Sequence, residues 1–290
     1  MGSQNYYFAR MKMQFPDIDV PACWRQFRRP RVYDFALELA ISPREILVDE
    51  EKLQSYGRAN VARWEDGWMF VTKRSNWHEL DLDHFSPGQL EHKAYGRLFA
   101  SKDYRRCVYY SDGFHKDTIA NLHTVVEAAM PTIGGSIIHA SCIKYRGKAV
   151  LFCGPSGMGK STQAFLWQKT NDCYMLSSDA PAVFPDEGGA VAYGMPWDGS
   201  DQVMLQDEAP VAAVIELNQA KENRIRRMGE REAFERMLRQ GHTPMWDQEA
   251  MFAEMAVLKK IAAAVPFYHL DCLPDEGAVR LVHKAVFGGE

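Results

Sequence analysis

The chain has 290 residues, 46% of them apolar and 25% charged, with a formal net charge of -4. These proportions are those of a globular protein long enough for one large domain or two smaller ones, and the acidic balance argues against a nucleic-acid-binding domain, which would be basic. The opening MGSQNYYFAR has no apolar stretch after a basic start, and no run approaches about 18 consecutive apolar residues, so no secretory signal and no membrane span are expected, and a cytoplasmic location is.

Residues 1–112 read as a β-rich N-terminal region. VYDFALELA fits a strand or a short helix. Trp68, Phe70 and Thr72 alternate with Met69, Val71 and Lys73, a pattern that suits strands joined by Asp-Gly turns in WEDGWMFVTKR and RRCVYYSDG. From residue 113 to 290 the pattern becomes α/β. KDTIANLHTVVEAAM is helical, with Ile119, Leu122, Val125 and Val126 on one stripe. IIHASCIKY and KAVLFC are strand-like, with the hairpin signal Arg146-Gly147 between them. YMLSS and APAVF read as strands, followed by the turn Asp-Glu-Gly-Gly into AVAYG. VAAVIEL reads as a buried strand, GEREAFERMLRQ and DQEAMFAEMAVLKKIAAAV as helices, FYHLDC as a strand, and PDEGAVRLVHKAVF as a closing helix with Pro274 near its start. Helices interleaved with strands favour a mixed or mainly parallel sheet with flanking helices. The six cysteines, Cys23, Cys107, Cys142, Cys153, Cys173 and Cys272, include no C-x-x-C pair and read as reduced, buried thiols.

Between an apolar strand, AVLFC, and a helix, STQAFLWQK, stands GPSGMGKS: Gly154, Pro155, Ser156, Gly157, Met158, Gly159, Lys160 and Ser161. The spacing is that of a phosphate-binding loop, and a chance match in a chain of this length is about 1 in 100 at average residue usage. Glycines let the backbone turn tightly and aim successive N–H groups at phosphate oxygens, and the helix that follows adds the positive end of its dipole. Lys160 would reach the β- and γ-phosphates and the Ser161 hydroxyl would ligate Mg²⁺. Thr162 either backs up Ser161 or is simply a first-turn residue. The expected ligand is ATP or a related nucleoside triphosphate with Mg²⁺.

Four neighbouring features bear on the chemistry. His139 precedes the loop on a strand-like run, and the hairpin would bring it alongside; a core histidine is the alternative. Asp179 ends the strand YMLSS, a place from which it can hold Mg²⁺ or accept a proton; a turn cap is the alternative. GMPWDG carries Trp197 and Asp198 and could line the acceptor site or stack on a base; a packed surface Trp is the alternative. KENRIRRM carries Arg224, Arg226 and Arg227, either a solvated basic edge or the source of one phosphate ligand. Asp201, Asp207 and Glu208 show no distinguishing spacing.

The order IIHAS, hairpin, GPSGMGKST, a strand ending in SSDAPAV, then YGMPWDG resembles the C-terminal domain of HPr kinase/phosphorylase and its relative phosphoenolpyruvate carboxykinase, over residues 113–290. It is most similar to HPr-kinase-like proteins rather than to HPr kinase itself. The resemblance implies an α/β P-loop kinase domain with strands ahead of the loop. It makes His139 the active-site histidine near the metal and γ-phosphate, keeps Lys160 and Ser161 in their loop roles, and sets Asp179 on the family's aspartate pair. The family pair is Asp-Asp, whereas this chain has Ser178-Asp179. Asp179 would then serve as metal ligand and base together, or His139 would take the proton. The glycine-rich signature that supports phosphorolysis in HPr kinases is absent.

These readings combine into a Mg²⁺-dependent kinase that transfers the γ-phosphate to a serine-like hydroxyl on a protein, peptide or small molecule. Asp179, His139 and Lys160 are its catalytic residues, residues 154–162 its nucleotide-binding residues, and Ser161 and Asp179 its metal ligands. The alternative is a nucleotide-binding regulatory or assembly module with little turnover. A carboxykinase-type reaction would need a carboxylate-binding arginine that the sequence does not place. The N-terminal region is left to acceptor recognition or self-association into a homo-oligomer, with no nucleic-acid or membrane partner.

Overall fold

The computed structural model describes residues 2–44, 46, 48–56, 59–71, 96–110, 116–197 and 203–288. By internal contacts the chain divides into two units. One comprises Met1–Asn5, Lys12–Val20 and Phe35–Ala129; the other comprises Tyr6–Met11, Pro21–Asp34 and Met130–Glu290. The expected boundary at 112/113 lies outside the described residues, as do Thr72, Lys73, Asp112-Gly113, Asp198 and Asp201.

Among the described residues, eight strands precede residue 111: β1 (Ser3–Phe8), β2 (Met11–Pro16), β3 (Phe35–Ser42), β4 (Gln54–Tyr56), β5 (Ala59–Trp64), β6 (Gly67–Val71), β7 (Arg97–Ser101) and β8 (Arg106–Tyr110). They form one sheet in the order β1-β2-β3-β8-β7-β6-β5-β4. VYDFALELA is thus a strand, not a helix, and β3 pairs β8 in parallel while β5 to β8 form an antiparallel meander. The β5–β6 turn corrects the Asp-Gly expectation. Trp64 pairs with Gly67 across a two-residue turn of Glu65 and Asp66, and Glu65 takes φ 49°. Gly67 is instead the first residue of β6, where a Cβ would lie 2.0 Å from the Ala100 carbonyl oxygen of β7. The helix α1 (Lys116–Ala129) belongs to this unit. It buries Leu122, Val125 and Val126, and its Asn121 side chain donates to the Gly96 carbonyl just before β7.

The second unit holds a nine-stranded mixed sheet of β9 (Ser136–Ile137), β10 (Ala140–Tyr145), β11 (Lys148–Cys153), β12 (Cys173–Ser177), β13 (Ala182–Asp186), β14 (Gly189–Tyr193), β15 (Glu208–Gln219), β16 (Arg224–Arg227) and β17 (Phe267–Cys272). The path runs β12-β10-β11-β15-β14-β13-β9, with β17 beside β15 and β16 beyond it. The centre, β11-β15-β17, is parallel, and the flanks are antiparallel. Four helices accompany it: α2 (Lys160–Thr170), α3 (Glu230–Gln240), α4 (Gln248–Ala264) and α5 (Glu276–Phe287).

β11 is apolar on both sides because both faces of the sheet are covered. Ala149, Leu151 and Cys153 face a core shared with Met237 of α3 and Leu258 of α4. Val150 and Phe152 face the opposite core, shared with Trp167 of α2 and Val282 of α5. Asp247 and Asp275 cap α4 and α5 by accepting N–H groups of their first turns. All six cysteines are free, and four are buried. Cys23 is exposed and Cys173 is half-buried, which corrects the expectation that every thiol is internal. No helix among the described residues is long and apolar enough to cross a membrane.

Candidate functional site

The hairpin before the loop closes through Arg146 (φ 48°) and Gly147 (φ 76°), the paired positive φ angles of a tight hairpin turn. β11 then runs to Cys153 and delivers the chain to Gly154 at the carboxyl edge of the parallel centre. Open α/β sheets place ligands outside this edge. Gly154 takes φ 149°, and a Cβ there would sit 3.3 Å from the Leu217 carbonyl oxygen of the neighbouring strand. Gly159 takes φ 96° as the N-cap of α2 and carries no side chain to satisfy the helix's first N–H groups. Those donors therefore face the loop's concavity, where an anion is the natural partner. Pro155, Ser156 and Gly157 form the exposed tip, and Met158 N–H returns to the Pro155 carbonyl at 3.2 Å.

Lys160 is the first residue of α2 and is only 8% exposed. Its Nζ donates to the carbonyls of Gly154 (3.1 Å) and Pro155 (3.4 Å), so the ammonium lies across the loop. Burial pulls the Lys160 pKa down, and the negative charge of Asp179 opposes that shift. Ser161 and Thr162 follow in the first turn, the former half-buried and the latter exposed. Gln219, at the end of β15, donates to the Gly157 carbonyl at 3.0 Å and ties the loop to the adjacent strand.

His139 occupies the bend between β9 and β10, and Asp179 lies just past the end of β12. Their segments are laced together: Ala140 N–H donates to the Asp179 carbonyl (2.9 Å) and Ile138 N–H to the Pro181 carbonyl (3.0 Å). As a result His139 Nε2 stands 3.3 Å from Asp179 Oδ1, with the two side chains 27% and 24% exposed. Ser178 is buried at 4% exposure, and its backbone is held by the Val203 carbonyl and the Ser141 hydroxyl. The fold therefore gathers Lys160, Asp179 and His139 at one end of the loop. Ser161 and Asp179 offer hard oxygen donors. Mg²⁺ takes one or two such protein ligands together with substrate phosphates, so the donor chemistry fits that ion.

Sequence reasoning missed a second polar group beside the loop. Glu216 pairs in register with Cys153, the residue before Gly154, and is 8% exposed. Its carboxylate meets His269 Nδ1 at 2.8 Å and Arg236 of α3 at 3.3 Å, while His269 Nε2 lies 3.3 Å from Asp271 Oδ1. Between Glu216 and Lys160, burial pushes the Cys153 thiol up to about 12, with Glu216 adding to the shift. A glutamate within the buried apolar run VAAVIEL of β15 was the available signal. His242, whose ring centroid is 6.3 Å from that of His139, was also missed, and nothing in its local spacing marks it.

Other expected features fall elsewhere. Trp197 is 5% exposed and packs edge-on against Phe8 (5.7 Å) and Trp24 (5.4 Å), in agreement with the packed alternative and not with an exposed side chain. Arg226 forks onto Glu232 at 2.8 and 2.6 Å on the edge strand β16, and Arg224 pairs with Glu222. Asp207 binds Lys144 and Tyr174, and Glu208 binds Arg31.

No protein-family profile matches the chain. No curated protein matches it. Among solved structures it is similar to the HPr(Ser) kinase/phosphatase from Coxiella burnetii, at 12% identity over 51% of this chain and 97% of that one, with a TM-score of 0.30. The likeness is a distant one.

Proposed function

We propose that the chain is a Mg²⁺-dependent phosphotransferase that passes the γ-phosphoryl group of ATP, or a related nucleoside triphosphate, to a hydroxyl. The observation that carries this reading is the convergence, at the carboxyl end of β11, of a GPSGMGKS loop with an inward-lying Lys160 and a His139–Asp179 pair at 3.3 Å. Residues 154–162 bind the phosphates through backbone N–H groups and the start of α2. Lys160 leaves its two carbonyl partners to pair with the β- and γ-phosphate oxygens. Ser161 and Asp179 hold Mg²⁺, which neutralises charge on the phosphates when bound.

In the transfer the acceptor oxygen forms a bond to the γ-phosphorus as the bond to the β,γ-bridging oxygen breaks, and the nucleoside diphosphate leaves. The acceptor's proton goes to the Asp179 carboxylate or to His139, each near enough to orient the other. Positioning and charge neutralisation supply most of the acceleration expected of such a site. Incubation of the full chain with γ-labelled ATP, Mg²⁺ and hydroxyl-bearing peptides or cell extract should transfer label. Lys160→Ala should abolish that transfer, and undiminished transfer in the variant would sink the reading.

A second reading, nucleotide binding with little turnover, is favoured by one observation. Ser178, buried with its backbone locked, leaves Asp179 as the turn's carboxylate where two acids would divide metal binding and proton transfer. Calorimetric binding of Mg·ATP without label transfer would select it.

A further inference from the structure

His242 stands beside the candidate site without having been marked by any motif. It opens the connection between α3 and α4, and two backbone contacts fix it beside His139. The His139 N–H donates to the Gln240 carbonyl at 2.9 Å, and Ile138 forms an antiparallel bridge with Gly241. The two segments run antiparallel, with His139 and His242 diagonal to each other across the bridged pair, and their ring centroids stand 6.3 Å apart with planes inclined at 47°.

The junction is braced from behind. Glu254 of α4, 1% exposed, accepts a hydrogen bond from the Ser136 hydroxyl at 2.6 Å, which joins α4 to the strand leading into His139. A Cβ on Gly241 would lie 2.9 Å from Glu254 Oε1 and 3.0 Å from Leu258 Cδ1, so the chain passes close over that carboxylate. A buried carboxylate is retained here at an energetic cost that apolar packing would not carry. What it secures is the approach of residue 242 to residue 139.

We propose that His242 is a second phosphoryl-contacting imidazole: with His139 it flanks the γ-phosphoryl group of the bound nucleotide and donates a ring N–H to its oxygens. This rests on the reading of residues 154–162 as a nucleoside triphosphate site. The separation suits the role. Two rings 6.3 Å apart are too far for direct hydrogen bonding to each other, but a single oxygen can accept from both at about 2.9 Å in a bent arrangement. Charge develops on the equatorial oxygens during transfer, and N–H donors fixed in advance stabilise it.

Calorimetric titration of the full chain with Mg·ATP and, separately, Mg·ADP tests this, using wild type, His242→Ala and His242→Gln. The expected result is Mg·ADP affinity within about twofold of wild type in both variants, and Mg·ATP affinity about tenfold weaker in His242→Ala, as befits loss of one charge-assisted hydrogen bond. Glutamine, which keeps an N–H donor, should restore part of the loss. Equal weakening of both nucleotides, or unchanged Mg·ATP affinity, overturns the assignment of His242 and leaves the loop reading intact. Wild type that binds neither nucleotide overturns both.

Discussion

His139 Nε2 and Asp179 Oδ1 lie 3.3 Å apart because two unrelated stretches of chain are laced backbone to backbone at Ala140 and Ile138. On the proposed function either partner could take the acceptor's proton, and substitution separates the two. Asp179→Asn keeps the shape but removes the charge that serves both metal and proton, so label transfer should fall by about 10²- to 10⁴-fold, the range of a general base. His139→Gln should cost the same only if the imidazole is the proton acceptor, and an order of magnitude less if it merely orients Asp179. Single-turnover rates at saturating Mg·ATP distinguish the two outcomes.

Lys160 is held at 8% exposure with burial opposing its charge. On the proposed function Lys160 is buried for phosphate binding at a cost to the fold. Lys160→Met should therefore leave the thermal midpoint unchanged or raise it, while Mg·ATP affinity drops about 100-fold through loss of charged hydrogen bonds. Scanning calorimetry and nucleotide titration on the same preparation check both halves. A large fall in midpoint would assign Lys160 a structural role instead.

Trp197 fills an aromatic cluster with Phe8 and Trp24. Trp197→Ala should destabilise the protein by about 3–5 kcal/mol in urea unfolding, as expected for a large buried aromatic. Mg·ATP affinity measured well below the melting range should not change. A selective loss of nucleotide affinity would return Trp197 to the base-stacking role the structure removes from it.

Ser136 and Glu254 meet at 2.6 Å across 118 residues of sequence. Ser136→Ala leaves a buried carboxylate without this donor and should cost about 1–3 kcal/mol. Glu254→Gln added to it should recover part of that cost, because the amide no longer buries a charge. A double-mutant cycle in urea measures the coupling.

Asp207 is bound by Lys144 Nζ at 2.8 Å and Tyr174 Oη at 2.6 Å. Burial alone would raise its pKa, but hydrogen bonds from Lys144 and Tyr174 outweigh this and the pKa falls below 3.8. A carboxyl whose folded pKa is depressed adds stability above its unfolded pKa and loses it as pH falls through the folded value. Stability should therefore decline below about pH 4, and Asp207→Asn should flatten that part of the unfolding profile. An unchanged acid limb would show that the pair contributes nothing.

The loop itself was legible in the sequence because its chemistry is local. Gly154 and Gly159 adopt backbone angles that other residues resist, and the spacing to Lys160 is set by a single turn of chain. The hairpin at Arg146-Gly147 was equally local. The two-sided apolar run of β11 announced a covered strand for the same reason, since side chains alternate at every residue.

Other relationships were decided by tertiary structure alone. That residues 6–11 and 21–34 group with 130–290 depends on packing, which no periodicity encodes. Glu216 stands next to Cys153 because β15 lies beside β11, and strand order is invisible in a one-dimensional pattern. Trp197 is buried by Phe8 and Trp24, far away in the chain. The sequence by itself suggested a phosphate-binding loop, with His139 and Asp179 as its expected companions. Only the folded chain decided that these two touch, and that His242 stands beside them, because long-range pairing and not spacing sets which side chains converge.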